Sequence, residues 1–119
     1  MDTNLVTRNN KTYIDLSEGE FRIGNESQLN DLVSMCYYHD ASLILLDQDN
    51  LADEFFNLRS GLAGSAMQKL ANYQVRVAVL LPADAVHNER FRELMYEMNQ
   101  SNHFRFYHNK TEAEAWLTT

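Results

Sequence analysis

Residues 42–81 read SLILLDQDNLADEFFNLRSGLAGSAMQKLANYQVRVAVLL: a buried-strand pattern, a loop, a helix opening on a hydroxyl and glycines, and a second buried-strand pattern. After its serine, Ser42-Leu43-Ile44-Leu45-Leu46 is apolar at every position, so both faces of the strand need cover, and the run stops at Asp47. Central strands between layers of helices carry such runs. Residues 75–81 repeat the pattern with only Arg76 interrupting, and Pro82, which cannot donate a ladder hydrogen bond, ends it. Between the strands, residues 49–56 suit a short helical turn, and Leu62, Ala63, Ala66, Met67 and Leu70 recur at helical spacing up to Tyr73. Two buried strands joined through a helix imply a parallel pair with a right-handed crossover.

The flanks extend this unit. Thr12-Tyr13-Ile14, the Glu18-Gly19 turn and Phe21-Arg22-Ile23 suggest an N-terminal β-hairpin. Asn25 with Gln28 forms a capping box, after which Leu29, Leu32, Val33, Cys36 and Tyr37 trace the inner face of a helix. On the other side, Asn88 is placed to cap a helix that turns Phe91, Leu94, Met95 and Met98 inward and Arg90, Arg92, Glu93 and Glu97 outward. Phe104 and Phe106 alternate with Arg105 and Tyr107 as in a strand near a sheet edge. Thr111 and Glu114 read as a capping box for a last helix carrying Ala113, Trp116 and Leu117. The expected order is β, β, α, β, α, β, α, β, α: a single α/β domain over residues 1–119, with an N-terminal hairpin and a mostly parallel central sheet flanked by helices.

With 119 residues, 45% of them apolar, the chain fills one core and not two. Its net charge of −7 opposes binding to nucleic acid or an anionic membrane, both of which call for clustered Lys and Arg. The single cysteine, Cys36, permits neither an internal disulfide nor a thiolate cage and fits a reducing cytoplasm. No apolar run has the length of a signal peptide or a membrane span.

The runs Phe55-Phe56-Asn57-Leu58-Arg59-Ser60-Gly61-Leu62-Ala63-Gly64, Gln68-Lys69-Leu70-Ala71-Asn72-Tyr73-Gln74-Val75-Arg76-Val77-Ala78-Val79 and Phe91-Arg92-Glu93-Leu94-Met95-Tyr96-Glu97-Met98-Asn99 resemble a bacterial family known as domain of unknown function 4180. More distantly, a buried strand followed by a loop, Ser-Gly-Leu and a helix is similar to the STAS domains of anti-sigma-factor antagonists. That second resemblance implies a STAS-like fold, a regulatory phosphorylation site at Ser60 and a surface that docks a partner protein. The chain departs from the STAS pattern in carrying Leu58-Arg59 where Asp-Ser is usual.

Physically, Ser60 is expected to cap the helix that follows, with Gly61 and Gly64 allowing close approach of a backbone or ligand. A phosphate there would face the positive helix end and Arg59. Phe55, Phe56, Leu58, Leu62, Gly64 and Ser65 make up a candidate partner surface, although adjacent aromatics also suit a lid over the core. Asp47, Asp49, Asp53 and Glu54 gather where open α/β sheets bind ligands and form an alternative site, with a solvated acidic loop as the plainer role. His39, His87, His103 and His108 lack metal-ligand spacing, so neither a metal nor a cofactor is expected. Tyr96 and Trp116 are assigned to packing.

Two functions are expected from these features. One is a non-enzymatic regulatory or interaction module binding a protein partner, or itself as a homodimer, around Ser60. The other is a small-ligand-binding protein or enzyme with an anion site at the same helix start.

Overall fold

The computed structural model describes residues 4–82, 84–85 and 89–119. The chain runs β1 (Asn4–Arg8), β2 (Lys11–Asp15), α1 (Glu26–His39), β3 (Leu43–Asp47), α2 (Asp53–Phe56), α3 (Leu62–Asn72), β4 (Arg76–Leu80), α4 (Glu89–Met98), β5 (Phe104–Tyr107) and α5 (Lys110–Leu117). Two 3₁₀ turns, Gln48–Asn50 and Leu58–Ser60, lie between β3 and α3. The five strands stand side by side in chain order; β1 and β2 are antiparallel and every later pair is parallel. The expected α/β architecture with a hairpin start is the one adopted.

Strand alternation divides the core into two layers. Ile14, Ile44, Leu46, Val77, Val79, Phe104 and Phe106 point to the face covered by α1 to α4, where they meet Leu29 and Leu32 of α1, Phe55 of α2, Leu70 of α3 and Phe91 of α4. Tyr13, Leu45 and Ala78 point to the opposite face and are covered by Ala113 and Leu117 of α5. Successive right-handed crossovers that all step the same way along a sheet stack their helices on one side. α5 instead folds back over the other face.

The hairpin occupies a different stretch from the one the sequence suggests. Its arms are β1 and β2, and its turn is Asn9-Asn10, with φ of 55° and 65°. Two-residue hairpin turns of this hand need positive φ at both central positions, which Asn tolerates better than most residues. β1 is largely exposed, so no buried apolar alternation marks it, whereas β2 buries Tyr13, Ile14 and Asp15. Phe21-Arg22-Ile23 forms no strand; Ile23 makes one isolated bridge to Leu51.

At α1 the capping box is as expected, with Asn25 Oδ1 accepting from Ser27 N at 2.8 Å and Gln28 Oε1 from Asn25 N at 3.0 Å. Tyr37, placed by periodicity on the inner face, instead stands out into solvent one step round from Cys36. The cap of α5 is Asn109, whose Oδ1 accepts from Glu112 N at 2.9 Å. The expected Thr111–Glu114 box does not form, because Glu114 turns to the sheet and accepts from Tyr13 Oη at 2.7 Å. The expected cap at Asn88, and His87, lie outside the described residues.

Candidate functional site

The loop from Asp47 to Gly61 is built from side chains that replace a missing ladder. Asp47 divides its carboxylate between two amides, Glu18 N at 2.8 Å and Asp49 N at 2.9 Å. Asn50 is fully buried. Its Oδ1 accepts from Asp47 N at 2.8 Å, and its Nδ2 donates to Phe21 O at 2.7 Å and Leu16 O at 3.2 Å. One amide side chain thus ties the 16–21 segment to the end of β3, since buried polar groups in irregular backbone need partners. Nothing in the sequence distinguishes Asn50 from its solvated acidic neighbours.

Beyond this staple, Phe55 and Phe56 enter an aromatic cluster. Phe55 stacks on Phe104 at 5.5 Å, and Phe56 meets Phe91 edge-on at 5.0 Å. Phe55 is fully buried and Leu62 nearly so, which removes both from the expected partner surface; Phe56 is half-buried. The pair lids the core because β5 offers two phenylalanine rings beneath it.

The chain then rises into the Leu58–Ser60 turn, whose residues are all exposed. Asn57 Oδ1 starts the turn by accepting from Arg59 N at 3.0 Å. The Ser60 hydroxyl faces two carbonyls, Glu54 O at 2.6 Å and Asn57 O at 2.8 Å, and accepts from Leu62 N at 3.1 Å. Ser60 therefore serves the first helical amide of α3 as a capping hydroxyl does, although the residue in the cap position is Gly61, with φ of 71°. Gly64 is exposed, and a Cβ added there would meet nothing within 4 Å, so close packing does not call for a glycine at this position. Ser65 is partly exposed beside it.

Beside the turn, a cleft of about 520 Å³ is lined by Arg22, Gln48, Asp49, Asp53, Glu54 and Phe56, among others. It holds Asp49 of the alternative ligand site, whereas both oxygens of Asp47 are engaged by backbone amides. Among the described residues no three His, Cys, Asp or Glu side chains come together to hold a metal ion. His103 and His108 each place Nδ1 against a backbone oxygen, Val75 O and Leu81 O.

On the α5 face, Trp116 lies within 5.2 Å of the Arg76 guanidinium and 4.8 Å of that of Arg105. The packing role expected of Trp116 is what the structure gives it. Tyr96, assigned the same role, is exposed instead. Exposed tyrosines also gather at the far end of α3: Tyr37, Tyr38 and Tyr73 border a larger groove of about 880 Å³. Periodicity missed this grouping because Tyr37 and Tyr73 both fit helical stripes.

A single-sheet α/β protein with an exposed, side-chain-braced turn at the strand ends is the class that fold and site define. Within it, a family model matches residues 8–117, and the chain belongs to that family, the domain of unknown function DUF4180. No curated protein and no solved structure matches the chain. No helix among the described residues is long and apolar enough to cross a membrane.

Proposed function

We propose that this protein is a non-enzymatic, STAS-like regulatory module of the bacterial cytoplasm. It binds a protein partner, or a second copy of itself, through the exposed turn Leu58-Arg59-Ser60 and the adjoining Gly64 and Ser65, and phosphorylation of Ser60 gates that contact.

The observation that carries this reading is the double duty of the Ser60 hydroxyl. Its one proton is shared between two carbonyl oxygens, 2.6 and 2.8 Å away, while its oxygen serves the amide of Leu62. A phosphoryl group removes that proton and sets a charge of about −1.5 to −2 beside those carbonyls. Repulsion opens the turn, and the phosphate swings toward the free amides at the start of α3 and the guanidinium of Arg59. The surface offered to a partner then changes in both shape and charge. Asp47 is committed to the backbone, which leaves the alternative reading, a small-molecule site at the strand ends, with weaker support.

Mass measurement of the protein taken from its native cell tests the gate directly. Phosphate on the peptide containing Ser60 is expected, together with a changed set of co-purifying proteins for Ser60→Glu relative to Ser60→Ala. An unmodified Ser60, with identical companions for both variants, would sink the proposal.

A further inference from the structure

One length of α3 away from Ser60, about 16 Å at the usual helical rise, the C-terminal ends of α1 and α3 meet over the starts of β3 and β4. The groove there is walled by Tyr37, Tyr38 and Tyr73, which are 91%, 83% and 60% exposed. Val33, Cys36 and Val75 form part of its floor. Large aromatic side chains left so open within one concavity are a feature of binding surfaces.

The electrostatics of the groove have one sign. Among the described residues Asp40 is the only charged side chain that lines it, and no Lys or Arg does. Both helices end there, α1 at the left-handed cap Asp40 and α3 at Tyr73, so the negative ends of two helix dipoles adjoin the groove, softened where cap amides already take Cys36 O, Tyr37 O, Leu70 O and Ala71 O. Tyrosine ring faces are themselves negative. Burial raises the Cys36 pKa to about 11, so the floor stays neutral around pH 7. The net charge of −7 on the whole chain reinforces the local field.

A guanidinium matches these features better than an ammonium does, because it is planar, weakly hydrated and stacks on aromatic rings. The open groove also exceeds what one side chain fills, which leaves room for the residues on either side of an arginine. We propose that the tyrosine groove binds an extended, arginine-bearing segment of a protein partner. The guanidinium stacks against Tyr37, Tyr38 or Tyr73 and pairs with Asp40. This site is separate from the Ser60 turn and does not depend on its role.

The test is amide chemical-shift titration of the full chain with a peptide of alternating glycine and arginine, alongside the same peptide carrying neutral citrulline for arginine. Saturable shifts confined to residues 37–40 and 73 are expected for the arginine peptide, with binding at least about tenfold weaker for citrulline. Tyr37→Ala and Tyr73→Ala should each weaken binding roughly two- to fivefold. Asp40→Asn keeps a residue tolerant of the left-handed cap and should weaken it as well. Ser60→Ala should leave the titration unchanged, which separates this site from the proposed gate. Equal response to citrulline, or no localised shifts at millimolar peptide, would overturn the proposal. So would a peptide-free dimer that Tyr37→Ala dissolves, since the face would then be a contact between copies.

Discussion

The Asn50 side chain makes three hydrogen bonds, and its carbonyl accepts from Ile23 N at 2.8 Å. Truncating the side chain leaves Leu16 O, Phe21 O and Asp47 N without these partners in a buried or part-buried site. Asn50→Ala is expected to cost about 3 kcal/mol in a urea titration, well above the effect of Asp49→Ala on the exposed side of the same turn. Two glycines a few residues on have opposite requirements. Gly61 sits at φ of 71°, where an added Cβ costs about 1 kcal/mol, so Gly61→Ala should destabilise. Gly64 lies in the first turn of α3 with open space around it, so Gly64→Ala should raise stability by up to about 0.5–1 kcal/mol. A Gly64→Ala protein that melts higher but holds its partner less well would mark that surface as functional.

At the scale of elements, the caps decide where helices begin, and α5 provides a clean comparison. Asn109→Ala should cost about 1 kcal/mol by thermal melting, whereas Thr111→Ala, which removes no cap, should be close to neutral. The same helix shows what sequence reading captures and what it misses. Elements that bury a regular stripe were legible: β3 and β4 as apolar runs, α1 and α3 as helical stripes, β5 as an alternation. Elements without a buried stripe were not: β1 is exposed at nearly every position, so the hairpin was displaced even though Thr12-Tyr13-Ile14 was legible as one of its strands. Thr111 and Glu114 have capping-box spacing, but Glu114 reaches Tyr13 across the sheet, a contact that spacing along one helix cannot reveal. At the site, Ser60 was visible as a hydroxyl near a helix start. The burial of Phe55 was a matter of tertiary packing against Phe104 and Phe91.

Across the whole molecule, two buried acids give the fold a shared response to alkali. Cys36 is raised from its ordinary 9.0 to about 11 by burial, and Tyr13 is raised from 10.0 by burial and then by its hydrogen bond to Glu114. In the unfolded chain each group releases its proton at its ordinary value, while the folded chain still holds it, so the unfolded state gains as pH rises. The Cys36 contribution is complete below pH 9 and is lost between about 9 and 11; that of Tyr13 begins to fall near 10. Unfolding free energies from pH 8 to 11 should therefore decline, and Cys36→Ala should flatten the first part of the slope.

Because neighbouring strands in the sheet are also neighbours along the chain, each strand emerging from a ribosome finds its pairing partner already made. The sheet can be laid down one unit at a time, without waiting for a distant segment. The exception is the last helix, which returns to the beginning: Glu114 meets Tyr13, and Lys110 reaches Asp15 at 3.6 Å. Synthesis thus leaves the α5 side of the young sheet bare until residues 110–117 arrive, and docking of their helix is the step that covers Tyr13, Leu45 and Ala78.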